Sequence, residues 1–542
     1  MKKIIIFISI FATAIGSLCN ITLKKTSAAE ETEVVETVDV WDGTTVSTSL
    51  TALDPNAEVW GTEDNPYLIQ SGADLKFFAD KTASGYHYSG KYFKLIKSID
   101  LNNSNFIIGS FGGVFDGDNN YIKGLSIESS TTNTGLFTSL LETGTIKNLT
   151  LYGTVSGVGK IGAFVGTSDG TIENCVNHCI VRGNGQRGGI VGVSNGLISN
   201  CTNNGDTTVN TSGWNVGGIV GESSGDIINC INNAKVYGTT THIAGIVGSL
   251  RSGNVTSCEN NGDISGATWG AGGIVGCVGE VSCEISNCTN KGAVSGTGQI
   301  GGIVGKCNGI IADCNNYGAI ELELSSGGGI AGDCLTELSV YNSNNYGVVS
   351  SVNGDDIGGI VGYVELGEVK NCTNNSTISG KGNVGGLVGY GNCVISESYN
   401  TADVTGTDTY VGGIAGQINS GSVSDCSNSG NITGTILVDG IVGWPIDGSV
   451  VSNCENTGIV IGSNGQIYPP VEDESPEDNE NINNEDPIVD EPSNEDEESE
   501  PLEQLFDFFE NLGENLFTEN GLIALFVLLA IGSFISLLIR RR

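Results

Sequence analysis

The sequence predicts an all-β protein whose body is a parallel β-helix solenoid of about twelve coils, with a disordered acidic stalk and a C-terminal transmembrane helix behind it. Three observations lead there. Glycine supplies 82 of 542 residues against 9 prolines, without a collagen triplet. A glycine-flanked apolar pair recurs along the chain, each copy followed by a segment of the form Ile/Val-x-[Asn/Asp]-Cys-x-Asn. The last 70 or so residues turn first strongly acidic and then wholly apolar.

The repeat carries the body. It reads Gly188-Gly189-Ile190-Val191-Gly192, then Gly217-Gly218-Ile219-Val220-Gly221, and returns at Gly272, Gly301, Gly358, Gly385 and Gly412, with a shortened version at Ala244. Aligned on the cysteine, the copies give Cys175, Cys201, Cys230, Cys258, Cys288, Cys314, Ser343, Cys372, Ser398, Cys426 and Cys454, at intervals of 26 to 30 residues. Leu149 marks an earlier copy without cysteine. Two residues on, every copy has Asn, from Asn177 to Asn456. Six residues on stands Val or Ile, except for Thr207 in a copy that contains an insertion.

Offsets of zero, two, four and six share one face of a strand. Cysteine, asparagine, a small residue and a branched apolar residue therefore point the same way. The Ile or Val three residues before the cysteine has the opposite parity, so a bend at the intervening Asn or Asp must turn both inward. Asn tolerates the left-handed backbone that such a corner needs. Three short strands per ~28 residues with glycine corners fit one coil of a parallel β-helix, its like residues stacked at ~4.8 Å. A propeller or a string of small sheets fits neither the period nor the strand count.

The ends predict export and anchoring. Lys2 and Lys3 precede an apolar run over 4–15 and small residues at Ser27, Ala28 and Ala29, the order of a secretory signal peptide. Cys19 follows Leu18, where a lipoprotein site needs a small residue. Residues 521–539 carry no charge and precede Arg540, Arg541 and Arg542, the length and flank of a membrane span with a cytoplasmic basic end. This layout resembles the sorting tail of Gram-positive wall proteins. The sortase pentapeptide is missing, however, and Leu516-Phe517-Thr518-Glu519-Asn520-Gly521 stands in its place, so the expectation is a retained anchor.

Over 471–500, fifteen of thirty residues are acidic and none is basic, a composition that cannot bury enough apolar area to order itself. Leu502, Leu505, Phe506, Phe509 and Leu512 follow at helical spacing. The predicted division is a signal peptide 1–29, a linker 30–56, an entry region with first coils 57–140, and β-helix repeats 141–466. The acidic stalk follows at 467–501, an amphipathic juxtamembrane segment at 502–517 and the anchor at 518–542.

Several function classes are excluded. A net charge of −39 opposes nucleic acid, which needs a basic patch, and also anionic lipid surfaces. Sixteen cysteines in an exported chain suggest disulfides, yet nine occupy one repeat position that Ser343 and Ser398 share. Small size is then the requirement, and buried free thiols are expected. His87, His178 and His242 are the only histidines and no paired Cys-x-x-Cys accompanies them, so no zinc site is expected. Gly-x-Gly-x-x-Gly matches at Gly183, Gly296 and Gly380 open no amphipathic helix and are repeat glycines, not a dinucleotide site. Gly305-Lys306 lacks the rest of a phosphate loop. Asp116, Asp118 and Asn120 alternate like the start of a calcium loop, but Ile127 stands where its Glu belongs, and a turn is expected. Glu321, Glu323, Asp355 and Asp356 are the carboxylates a polysaccharide-cleaving flank would draw on, though acidic pairs are usually solvated faces.

The Gly-Gly-[Ile/Leu]-Val-Gly core resembles the GLUG motif of bacterial surface proteins. The entry segments Asn65-Pro66-Tyr67-Leu68-Ile69, Gly90-Lys91-Tyr92-Phe93-Lys94-Leu95 and Ser98-Ile99-Asp100-Leu101 resemble the region that leads into such repeats, and the stretch from Phe115 to Leu125 resembles their turn into the first coils. The likeness spans about Trp60 to Gly462. It implies a bacterial, β-helical surface module. Some proteins with this motif also carry an immunoglobulin A peptidase domain, whose His-Glu-x-x-His zinc helix this chain lacks.

The function expected is therefore that of a surface protein with an extracellular N-terminal ectodomain, held by a single C-terminal pass and presenting a β-helical rod for adhesion or cell-envelope interaction. Glycan binding or cleavage along the rod, or a structural coat, are the alternatives. No catalytic, cofactor or metal residues are assigned. The expected partner is an extracellular protein or glycan, with the membrane contacted through the C-terminal helix.

Overall fold

A computed structural model describes residues 38–46, 49–52, 58–209, 213–279, 283–446, 448–462 and 467–468. The chain divides into a unit Met1–Glu472 and a unit Asp473–Arg542, and the described residues all belong to the first. The expected signal peptide, the stalk beyond Tyr468, the juxtamembrane segment and the apolar span 521–539 lie outside them. Among the described residues no helix is long and apolar enough to cross a membrane.

The body is an all-β parallel solenoid of about 14 turns, two more than the twelve repeats read from the cysteine and asparagine columns. The additional turns lie in the entry region, where Phe93, Phe111, Phe115 and Phe137 fill the interior in place of the glycine and cysteine signature.

One turn shows how the sequence winds. After Gly301 come the strands Val304–Lys306, Gly309–Ala312, Asn315–Asn316, Ile320–Leu322 and Gly327–Gly328. Each pairs in parallel with its equivalents one turn below and above: Asn316 with Asn290 and Asn345, Ile320 with Val294 and Val349. The expected corner is present. The residue before each of the eleven cysteine or serine positions, from Asn174 to Asn453, has φ between +50° and +56°. That single left-handed residue reverses the side-chain parity. The Ile or Val three positions before the cysteine and the cysteine itself thus both face inward, as Ile311 and Cys314 do.

The interior is two apolar columns with a polar seam between them. One column stacks Ile190, Ile219, Ile246 and their equivalents with Ile198, Ile227 and the cysteines. The other stacks Val236, Ile264, Val294, Ile320 and Val349 with Ile243, Ala271 and Ile300. Each such buried aliphatic side chain contributes roughly 1.5–3 kcal/mol.

The seam is made by the repeated Asn. From Asn177 to Asn456, each Nδ2 donates to the Oδ1 of the next Asn, in ten successive bonds of 2.7–2.9 Å. The second Nδ2 proton of Asn316 goes to the Gly318 carbonyl at 3.0 Å, and its Oδ1 also accepts from Gly318 N at 3.2 Å. From Asn177 to Asn428 these amides are buried and hydrogen-bonded, which is the condition under which a polar ladder stabilises an interior.

The double glycine exists because of this ladder. A Cβ on Gly302 would sit 2.1 Å from the Gly329 carbonyl oxygen and 2.3 Å from Cγ of Asn316. Equivalent approaches of 2.2–2.5 Å recur between Gly189 and Asn203, Gly245 and Asn260, and Gly329 and Asn345. Thus the two halves of the repeat signature, some fourteen residues apart in sequence, touch across the interior. The exception at Thr207 keeps its column: it pairs with Val181 and Val236, and the extra residues of that copy fall after it.

The fifteen described cysteines are free, and all but Cys454 are buried. Burial pushes Cys179, Cys372 and Cys393 up to about 12. Cys288 Sγ lies 3.2 Å from the Ser286 carbonyl, and the native serines do the same: Ser343 Oγ donates to Tyr341 O at 2.8 Å and Ser398 Oγ to Ser396 O at 2.7 Å. Cys288→Ser is therefore expected to change stability by less than about 1 kcal/mol, whereas Cys288→Leu, overfilling the column, costs about 1–3 kcal/mol. Urea midpoints of the two variants check this.

The N-terminal end is closed by an element absent from the sequence reading, the helix Gly72–Ala83. Ser71 Oγ accepts from Asp74 N at 3.2 Å, and the Asp74 carboxylate accepts from Gln70 N at 3.0 Å, a reciprocal cap. Its Phe78 plugs the first turns, with ring centroids 4.5 Å from Phe93 and 5.4 Å from Phe111. Within the expected linker 30–56, Asp39–Val40 pairs in parallel with Ile99 and Asp100, and Thr51–Ala52 pairs antiparallel with Leu68 and Tyr67. At the other end Ile467–Tyr468, at the start of the expected stalk, folds back antiparallel on Val460–Ile461.

Candidate functional site

Between the second apolar column and the next double glycine, each turn makes an outer loop of variable length. Over six consecutive turns, from Thr239 to Ser379, these loops enclose a groove of about 650 Å³. Its floor is set by register. Ser295, Glu321, Ser350 and Ser379 are partners in successive parallel strands. Each follows a buried Val or Ile, so strand alternation points it outward.

The loops add Thr268, Thr297 and Glu323 to the lining, and no Lys or Arg is among the lining residues. The loop backbone is already paired, Glu323 N donating to Gly296 O at 3.1 Å and Leu324 N to Thr297 O at 2.7 Å. Hydroxyls and carboxylates are therefore the polar groups left facing the groove, beside the apolar Ala267, Leu322 and Val352. Neither Glu321 nor Glu323 pairs with a cation among the described residues.

Two exposed aromatic rings adjoin the lining residues without being part of the lining, Trp269 following Thr268 and Tyr237 standing against Gly266. Trp269, 45% exposed, lies so close to Gly298 that a Cβ there would be 3.0 Å from its Cζ3. Tyr237, 49% exposed, stands against Gly266, whose added Cβ would be 3.3 Å from its Cε2.

The four carboxylates singled out in the sequence part company here. Glu321 and Glu323 line the groove. Asp355 faces Lys381 at 3.8 Å, and Asp356, at φ +60°, accepts from Asn383 Nδ2 at 2.6 Å. The last two serve the corner before the double glycine. Asp116, Asp118 and Asn120 form the expected turn: Asp116 Oδ1 accepts from Asp118 N at 2.9 Å, Asp118 pairs with Lys94 at 3.1 Å and Asn120 Nδ2 donates to Leu95 O at 2.9 Å. Gly183, Gly296 and Gly380 all lie in strands. The histidines are scattered, His178 stacking on Tyr152 at 4.5 Å and His87 Nδ1 reaching Ser110 O at 3.2 Å. Among the described residues no group of three His, Cys, Asp or Glu is placed to hold a metal.

A second polar feature escaped the sequence reading. The residue after each Gly-Gly-Ile-Val-Gly core lines up in another column, where Glu222, Ser249, Cys277, Lys306 and Asp333 follow in register. Glu222 accepts from Gln186, Asn215 and Arg251. Burial raises its carboxyl, but Arg251 and the two amides outweigh that and hold it below its ordinary 4.5. Asn215 Oδ1 in turn accepts from His242 Nδ1 at 2.9 Å.

Burial, then the charges of Lys306 and Arg251, depress the His242 imidazole below its ordinary 6.5. The sign follows: as pH falls below 6.5 the unfolded chain takes up this proton more readily than the folded one, so stability falls. The loss continues until the pH passes the folded-state value. Glu222, also depressed, adds its own loss only below its ordinary 4.5. His242→Gln is expected to flatten the decline between pH 6.5 and 5 and leave the lower limb in place. Gln is suited to the site, because Gln299 occupies the equivalent corner with the same φ of 56°. Urea midpoints across that range check it.

The GLUG motif model matches residues 353–379 and 407–433, each one full turn from outer loop to second-column strand. No curated protein matches the chain. Among solved structures, a Bacteroides ovatus protein provisionally described as an immunoglobulin A1 protease is similar, at 22% identity over 58% of this chain and 76% of that one, with a TM-score of 0.25. A score that low carries no argument about this chain.

Proposed function

We propose that this chain, with its GLUG repeats wound into a β-solenoid, is an exported surface protein, held by its C-terminal apolar segment and presenting the solenoid for adhesion or cell-envelope interaction. The observation that carries the reading is the division of labour within each turn. Nearly every inward position is committed to the two apolar columns and the Asn seam, Arg187 and Thr207 being buried polar exceptions in the second column, while the outer loops vary in length and chemistry on a repeated frame. A scaffold of that kind presents side chains at fixed spacing and tolerates change on its surface. The terminal charge and hydropathy patterns supply the export and anchoring parts of the reading. Binding, rather than catalysis, is the activity proposed.

The test is protease shaving of intact cells expressing the full chain, alongside attachment of those cells to host surfaces or neighbouring cells. Loss of the solenoid to external protease, together with attachment that depends on the chain, is the expected result. A chain protected from external protease, or attachment unchanged on its deletion, overturns the reading.

A further inference from the structure

We propose that the groove between Thr239 and Ser379 is a binding site for a neutral polysaccharide chain lying along the solenoid axis. This rests on the surface-display reading and gives it a ligand class.

Four features of the groove point the same way. First, its floor repeats. Ser295, Glu321, Ser350 and Ser379 occur once per turn in unbroken parallel register, at the ~4.8 Å strand spacing. The column continues through Thr405 to Thr433. A periodic floor suits a periodic ligand.

Second, the chemistry is that of sugar recognition. Hydroxyls both donate and accept, and ionised carboxylates accept two or more bonds each. A ligand dense in hydroxyl groups satisfies both kinds, and carboxylates accept hydroxyl protons strongly.

Third, aromatic faces adjoin the groove. Trp269, which follows the lining Thr268, and Tyr237, which stands against the lining Gly266, are both exposed by nearly half. Flat aromatic surfaces pack against the apolar face of a sugar ring, and a tryptophan held on a rigid strand loses little entropy on doing so. Trp214, 58% exposed, stands in the same register column two turns away, with Thr241 between, and extends the platform.

Fourth, charge selects within the class. Glu321 and Glu323 line the groove without a basic residue in the lining, on a chain of net charge −39. Uronates and sulfated glycans are repelled. A protein segment adding itself as a strand would find no free strand edge there, because loop amides such as those of Glu323 and Leu324 are already paired.

The test uses the full-length chain, purified in detergent, against oligosaccharides of glucose, mannose and N-acetylglucosamine, with polyuronates and a sulfated glycan as anionic probes. Neutral oligomers should bind with affinity that rises with chain length up to about six units, one for each turn of the groove. Trp269→Ala should weaken binding by about tenfold or more, and Glu321→Gln by about three- to tenfold. Both side chains are exposed, so the urea midpoint should stay unchanged. Ser350→Trp, which fills the groove from its floor, guards against a variant-specific folding fault and should abolish binding.

Absence of binding by any neutral oligomer, preference for the anionic probes, or binding untouched by all three variants overturns the proposal. The two readings fail separately. Cells whose attachment survives Ser350→Trp but is lost on deleting the whole chain retain the surface reading and lose the groove.

Discussion

Gly302→Ala is expected to prevent the middle of the solenoid from closing. The added Cβ would stand 2.1 Å from the Gly329 carbonyl oxygen and 2.3 Å from Asn316 Cγ, well inside contact distance. Neither neighbour can move away. The Gly329 carbonyl belongs to the backbone of the next turn, which Gly329 N ties to Gly358 O of the turn beyond at 3.2 Å, and the Asn316 amide is fixed by bonds to Asn290, Gly318 and Asn345. The cost should exceed about 4 kcal/mol, at the far end of what single substitutions do. Because each turn contacts only its neighbours, a break here separates the stack into two segments, each with a bared end. Limited proteolysis should then cut near residue 302, and the urea transition should become broad or biphasic. Gly279→Ala is the control. Its Cβ would come no nearer than 3.4 Å to any atom, and its stability should change by less than about 1 kcal/mol.

Asn345→Leu is expected to be nearly as severe, for an electrostatic reason. Asn345 donates to the Gly347 carbonyl and to Asn374 Oδ1, both at 2.9 Å, and accepts from Asn316 Nδ2 at 2.8 Å and from Gly347 N at 3.2 Å. A leucine, with the same number of side-chain heavy atoms but bulkier methyl groups, leaves those partners buried and short of a bond, each at about 1–3 kcal/mol. A branched side chain also meets the Gly329 backbone where a flat amide lay. A total loss of roughly 3–6 kcal/mol follows, read from the urea midpoint. Asn345→Asp should fare no better, since a carboxylate cannot donate and its charge would be buried. Asn375→Ala, on the exposed face one residue from the seam, should stay within about 0.5 kcal/mol.

Much of this interior can be read in the sequence because like residues stack on like. The offsets from Cys314 to Asn316, Gly318 and Ile320 give the inward face directly, and the wrong parity of Ile311 calls for the left-handed corner found at Asp313. What one repeat cannot show is which columns meet across the interior. The Asn316–Gly302 contact joins neighbouring parts of the signature that no strand pattern links, so the second glycine reads as a turn residue until the seam is seen. The helix Gly72–Ala83 left a signal in Ser71 and Asp74, a cap three residues apart, but its apolar face is short and lies among strand-like sequence. The entry turns escaped the count because phenylalanines replace the repeat signature.

The groove was partly visible. Glu321 and Glu323 stood out as irregular acidic residues, yet Asp355 and Asp356 looked equivalent to them and serve a corner instead. The hydroxyl column from Ser295 to Ser379 carries meaning only through register, because serine is ordinary on any outer strand. The Glu222–Asn215–His242 cluster was hidden for the same reason: Asn215 and Glu222 share a turn, but His242 and Arg251 reach them from the next one and meet them only when the chain is wound.

The most direct test of the winding itself is a distance between spin labels placed, by a non-cysteine chemistry, at Ser295 and Thr433 of the full-length chain. These residues are joined by five parallel register steps through Glu321, Ser350, Ser379 and Thr405. One repeat per turn places their Cα atoms about 24 Å apart, at ~4.8 Å per step, in a single narrow distribution. A broad distribution, or a mean well beyond about 40 Å, would contradict the parallel stack and with it the Asn–Gly seam and the groove.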